Sequence, residues 1–247
     1  MRYFCTVAYD GSNYHGWQSQ KNAISVQQVI EESFSTVLRR ATVITGSGRT
    51  DTGVHATRQV FHFDTEKTIS ESGFHKFNSI LPKDISIRNL VRVVDHAHAR
   101  FDATQRSYEY YIIQDKDPFM LNRAYRYSKD LDLDKMNNAC QVILQTNDFE
   151  SFSRVHTDVN NFLCEISEAY WEEQNDLIVF HVSSNRFLRG MVRAMVGTLL
   201  DIGIGKTTLT DLKSTLISKD RQKAGRSVPA MGLYLSNVEY PDQIFRY

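Results

Sequence analysis

Residues 46–56 read Gly-Ser-Gly-Arg-Thr-Asp-Thr-Gly-Val-His-Ala. An arginine, an aspartate and a histidine set among three glycines can do several kinds of chemistry. Asp51-Thr52-Gly53 is the triplet of aspartic proteases, whose two carboxylates share a proton at about 3 Å. The chain holds one such triplet, so a second chain would have to supply the other carboxylate. Arg49, two residues away, favours full ionisation of Asp51 over a shared proton. Alternatively, Asp51 is a nucleophile in a turn whose glycines, Gly48 and Gly53, let a substrate approach the backbone with no Cβ in the way. Arg49 would then pair with phosphate or with Asp51 itself. On local evidence alone, a Gly/Asp/Thr turn without chemistry is the stronger reading.

Other candidates are weaker still. Gly205-Lys206-Thr207 resembles the end of a phosphate loop, but that signature needs a glycine where Leu200 stands. A helix C-cap, with Gly203 or Gly205 left-handed, fits better. His55, His62, His75, His96 and His98 form neither HxxxH nor HExxH. His96 and His98 would share one face of a strand, but no third ligand type lies near, so structural or surface roles are expected and no metal. Arg100-Phe101 and Arg106-Ser-Tyr-Glu-Tyr110 interleave cations with rings, as stacking surfaces for nucleic acid do, or as ordinary strands do.

Chemistry of any of these kinds needs a scaffold. The 247 residues, 41% hydrophobic and 23% charged, predict a packed core in one large α/β unit or two domains. Cys5, Cys140 and Cys164 show no CxxC spacing, which argues against zinc or a disulfide framework. There is no signal-peptide pattern and no run of 18 apolar residues, so a cytoplasmic protein with no membrane span is expected. Lysine plus arginine balances aspartate plus glutamate at 29 each, yet unevenly. Residues 184–226 carry nine basic and three acidic residues; residues 130–176 carry eleven acidic and two basic ones. One basic and one acidic face are compatible with polyanion binding, or with two solvated surfaces.

Hydrophobic periodicity predicts strands at 2–9, 41–45, 58–63 and 85–94, with helices at 26–40 and 70–80. This is the β-α-β-β-α-β order of a ferredoxin-like unit. A second series follows: strands at 106–114, 164–173, 177–183 and 232–239, helices at 132–144, 187–202 and 208–218. The expected fold is α+β: two pseudo-duplicated ferredoxin-like halves, mainly antiparallel sheets flanked by helices, with an active-site cleft between them. Their expected boundaries are 1–104, carrying the aspartate loop, and 105–247.

Five segments taken together resemble the TruA family of tRNA pseudouridine synthases. They are Tyr9-Asp-Gly-Ser-Asn-Tyr-His-Gly-Trp-Gln-Ser-Gln20, Gly48-Arg-Thr-Asp-Thr-Gly-Val-His-Ala56, His98-Ala-Arg-Phe-Asp-Ala103 running into Arg106-Ser-Tyr-Glu-Tyr110, Phe187-Leu-Arg-Gly-Met-Val-Arg193, and Gly232-Leu-Tyr-Leu235. The resemblance spans residue 3 to about 241. It implies isomerisation of uridine to pseudouridine at tRNA anticodon stem-loop positions 38, 39 and 40, by a homodimer without metal or organic cofactor. It also implies Asp51 as the catalytic aspartate, Arg49 beside the flipped nucleotide and Tyr108 against the uracil. Arg193 would pair with the aspartate, and Leu233 would be an apolar wall. Arg189, on the helix expected at 187–202 with Arg193, and Arg186 just before it would turn toward phosphate. The chemistry suits these residues: one ionised carboxylate suffices as nucleophile, attacking C1′ of the ribose or C6 of the base. The base must first leave its stack, at a cost of a few kcal/mol.

Overall fold

The computed structural model describes residues 1–155, 159 and 161–246. The chain forms two compact units, one of Met1–Gln105 plus the segment from Tyr234 onward, the other of Arg106–Leu233.

In the first unit, β1 (Arg2–Tyr9) pairs antiparallel with both β3 (His55–Asp64) and β4 (Ile85–Val93). Helices α1 (Val26–Leu38) and α2 (Glu71–Ile80) join the strands. Ser25 caps α1 by accepting from the Gln28 N–H, and Arg39, left-handed at φ 55°, ends it. The apolar stripe of α1 places Phe34 over Phe61, Phe63 and Phe77, with ring centroids 5.4, 5.1 and 4.0 Å away. The strand expected at 41–45 is only Thr45–Gly46, β2, paired with His62 and Phe61. The residues before it spend their donors on α1: the Thr42 N–H bonds the Ser35 hydroxyl and the Ile44 N–H the Glu31 carboxylate. The His96–His98 stretch is a turn after β4, not a strand.

In the second unit, β8 (Leu177–Ser184) lies antiparallel between β5 (Gln105–Ile113) and β7 (Ile166–Gln174), and β6 (Tyr125–Arg126) adds parallel to β5. Helix α3 (Leu133–Leu144) is tied to β7 by Asn137, whose amide bonds the backbone of Trp171 in both directions, at 2.7 and 3.0 Å. Helix α4 (Met191–Gly203) is buried along most of its length, and Gly205 beyond it takes φ 71°. Helix α5 (Leu209–Ser218) starts with a Thr208/Asp211 capping box. The last strand, β9 (Leu233–Glu239), sets Tyr234 and Leu235 parallel to His55 and Ala56 of β3, so its residues from Tyr234 fall in the first unit.

The architecture is thus α+β with mainly antiparallel pairing. No helix among the described residues is long and apolar enough to cross a membrane. Within the acidic 130–176 window, Asp158 lies outside the described residues.

Candidate active site

The 46–56 stretch connects β2 to β3 and is gripped by the segment that follows β1. Asp51 to Val54 is a β-turn closed by the Val54 N–H to the Asp51 carbonyl at 3.1 Å. Gly53 takes φ 77°, the positive value a type II turn demands at its third position. The Trp17 N–H bonds the Thr50 carbonyl at 3.1 Å, and the Gly53 N–H bonds the Tyr14 carbonyl at 3.4 Å. The buried Thr50 hydroxyl meets the Tyr9 phenol at 2.8 Å.

Backbone meets backbone so closely here that side chains are excluded. A Cβ on Gly11 would lie 2.0 Å from the Val54 carbonyl oxygen; one on Gly16 would lie 2.4 Å from that of Thr50. A Cβ on Gly46 would strike the Trp17 indole at 2.4 Å. At Gly48, by contrast, nothing stands within 4 Å of the Cβ position.

Buried polar side chains complete the grip. Gln59 of β3 is fully buried; its amide donates to the Gly48 carbonyl at 3.1 Å and accepts from the Ser47 hydroxyl. His55, also buried, accepts the Gly11 N–H on Nδ1 at 3.0 Å and stacks on Tyr234 at 4.5 Å. Tyr14 donates to Asp84 at 2.7 Å, and burial with that bond raises its phenol well above the usual range, so it remains a donor. Among these fixed neighbours Asp51 is half-buried, and Arg49 is exposed with its Nε donating to Gln18 at 3.0 Å.

The other expected residues lie in the second unit. Tyr108, half-buried on β5, meets Phe187 edge-on at 5.1 Å. Tyr110 on the same face is buried, and its phenol, raised by desolvation, donates to the Pro229 carbonyl at 2.8 Å. Leu233 is buried. Arg193 sits in the first turn of α4, where its Nε donates to the Val228 carbonyl at 2.6 Å and its carbonyl accepts from the Val228 N–H.

Arg189 is not on that helix as expected, and Arg186 precedes it: α4 begins at Met191, because Gly190 turns left-handed at φ 73°. Both arginines stand on the approach loop, where the Arg189 carbonyl accepts from the Arg154 N–H. Asp51 and Arg49 therefore share one clamped loop, while Tyr108, Arg193, Arg186, Arg189 and Leu233 belong to the other unit.

Gln59, Tyr9, Thr50 and His55 were not assigned these supporting roles from sequence. The only signal pointing to them is the density of glycine and aromatic residues in the 9–20 segment. Among the described residues no three His, Cys, Asp or Glu side chains are grouped as metal ligands.

Comparison with known proteins gives the family of the chain. A family profile described as tRNA pseudouridine synthase matches residues 6–102 and 139–241. A tRNA pseudouridine synthase A from Parabacteroides distasonis is 47% identical over 246 residues, 99% of this chain and 98% of the relative. One from Bacteroides thetaiotaomicron is 48% identical over 251 residues (99% and 93%). One from Bacillus subtilis is 39% identical over 246 residues (97% and 99%). With identity of this level along nearly its whole length, the chain belongs to the tRNA pseudouridine synthase family.

Proposed function

We propose that this chain is an isomerase that converts uridine to pseudouridine at positions 38, 39 and 40 of the tRNA anticodon stem-loop, with Asp51 as nucleophile. The observation that carries the assignment of Asp51 is the clamped turn: a half-buried carboxylate held by backbone contacts at Trp17, Tyr14 and Gly16, beside open space at Gly48. A nucleophile aimed at one carbon must be held in place before the substrate arrives, and this loop has little freedom left to lose.

The reaction breaks the bond between N1 and C1′, turns the base, and joins C5 to C1′. C5 loses its proton and N1 gains one, so the product is an isomer of the substrate. Asp51 attacks C1′ or C6. Arg49, exposed and tethered through Gln18, enters the space left by the extruded nucleotide. Tyr108 contacts the uracil and is the acid/base candidate for the C5 proton. Arg193 is the cation that keeps the attacking carboxylate charged, Leu233 is an apolar wall, and Arg186 and Arg189 meet phosphate.

The enzyme works in the cytoplasm as a homodimer, without metal or organic cofactor, and its two ferredoxin-like halves divide near 1–104 and 105–247. Support for the duplication lies in matching strand orders. In the first unit β1 neighbours β3, which neighbours β2; in the second β5 neighbours β8, which neighbours β7.

Asp51→Asn tests the reading. Tritium release from uracil-C5-labelled tRNA should stop while tRNA binding persists. Turnover near wild type in that variant would remove Asp51 from the chemistry. No release by the wild-type protein would make it a tRNA-binding relative instead.

A further inference from the structure

The Arg100-Phe101 pair is not used by the chemistry above, yet it is built with care. Phe101 is 74% exposed at the tip of a turn after β4. That turn has little freedom. The His98 N–H bonds the Asp102 carboxylate at 2.7 Å, and the Asp102 N–H bonds the His98 carbonyl at 3.0 Å. The Arg100 and Phe101 N–H groups both point at His98 Nδ1, at 3.1 and 3.3 Å. Below, Ala99 is pinned from both sides: its N–H donates to His62 Nδ1 at 3.1 Å, and its carbonyl accepts from the Tyr240 phenol at 2.6 Å. The rings form a ladder from core to surface, His62 to His98 at 4.7 Å and His98 to Phe101 at 4.2 Å. The Arg100 guanidinium carbon lies 5.7 Å from the Phe101 ring centre.

We propose that this turn is a stacking platform for an unpaired base of the tRNA, with Phe101 as the ring and Arg100 as the cation beside it. The proposal rests on the tRNA reading above. A rigidly mounted aromatic offers stacking without the ordering cost of a floppy side chain. A guanidinium over the same ring suits a polyanion, since a base always arrives with a phosphate. An apolar protein partner would need a contiguous hydrophobic patch. The exposed residues nearest in sequence are instead Arg100, Thr104, His96 and Asp95, with the half-buried Asp102 between.

Equilibrium binding of a folded tRNA transcript tests it. Phe101→Ala and Phe101→Leu should weaken binding about tenfold or more, the range measured for loss of one base–aromatic stack, whereas Phe101→Trp should hold or tighten it. The melting temperature should not move, because so exposed a ring supports little of the core. Wild-type affinity in Phe101→Ala overturns the platform while leaving the pseudouridylation reading intact. So does a loss that appears only because the variant sediments as monomer, which would assign the ring to a second copy of this chain. A drop in melting temperature equal to the binding loss would make the ring structural. A wild-type protein that neither binds nor modifies tRNA overturns both readings.

Discussion

The loop at 46–54 and the basic stretch at 184–226 both carry clusters of functional residue types, and the structure uses them in opposite ways. In the loop, polar residues and glycines are spent on holding one carboxylate: Gln59 on Gly48, Tyr9 on Thr50, Gly16 under the Thr50 carbonyl. In the basic stretch, several cations counted as surface charge are already bonded to groups of the same chain, at or near the surface. Arg221 bonds the Gly225 carbonyl and the Ser227 hydroxyl, both at 3.0 Å. Lys219 pairs with Asp148 at 2.6 Å and Lys206 with Asp201 at 2.8 Å, and Arg226 reaches the Tyr125 phenol at 2.9 Å. Close packing makes a residue's type informative at its position. A charge count does not reveal which charges the fold has already used.

The sharpest way to break this contrast is at the glycines. Gly11→Ala pushes a methyl group to 2.0 Å from a backbone oxygen that cannot retreat without moving Val54. We expect a cost of about 3 kcal/mol or more and loss of activity of at least about a hundredfold. Gly205→Ala is the control in the basic stretch: its Cβ would enter open space, so only the positive φ of 71° is strained. That cost is about 1–2 kcal/mol with turnover retained. Urea unfolding and single-turnover rates separate the two. Equal effects would mean that the grip on the Asp51 loop is not special.

This contrast also marks what could be read from the sequence. Arg49 and Asp51 stood out only through the family resemblance that five segments carry together, because the turn taken alone reads as a turn without chemistry. Gly11 and Gly16 were not legible, since the partner of a glycine in backbone-to-backbone contact leaves no side-chain signal. Strand and helix positions followed periodicity to within a few residues, except where a local competitor took the backbone. Ser35 and Glu31 shorten β2, and the left-handed Gly190 delays α4, moving Arg189 onto a loop. The return of β9 to β3 is a pairing across nearly 180 residues, which no local pattern encodes.

A smaller effect is expected from Gln59→Leu. It leaves the Gly48 carbonyl and the Ser47 hydroxyl short of a buried partner, at about 1–3 kcal/mol. If Gln59 positions the loop, the rate of the chemical step falls while affinity for tRNA holds, and Gln59→Glu, which keeps the acceptor but loses the donor, falls in between. Equal loss of rate and affinity would reduce Gln59 to a folding residue.

In the basic stretch the comparison predicts a split between neighbours. Arg189→Glu should weaken tRNA binding and lower the slope of log affinity against log salt by about one. Arg221→Ala should lower stability by about 1–2 kcal/mol, since its hydrogen bonds are internal, and leave the salt slope alone. If both variants change the slope, the stretch is one phosphate-binding surface, and the division into bonded cations and contacts fails.

The smallest expected effect concerns one imidazole of β3, His62, which accepts the Ala99 N–H on Nδ1. That role requires a neutral ring. Burial, with Arg2 and His98 nearby, lowers the pKa of His62 to about 4, against the weaker pull of Asp64 and Asp102. An unfolded histidine titrates near 6.5. Between these values the unfolded chain binds a proton that the folded chain refuses, so stability falls as pH drops through 6.5 toward 4 and the loss is complete below it. The cost is on the order of 2 kcal/mol once solvent screening of the partly accessible site is allowed for. Asp64, held below its ordinary value first by its bond to Arg2, adds its own loss only at still lower pH. Urea midpoints at pH 7 and pH 5 should therefore differ more in the wild-type chain than in His62→Gln, whose amide also accepts a hydrogen bond but does not titrate. An identical pH response in the two proteins would show that acid acts elsewhere, and that fixed protonation is not what distinguishes the neighbourhood of the Asp51 loop.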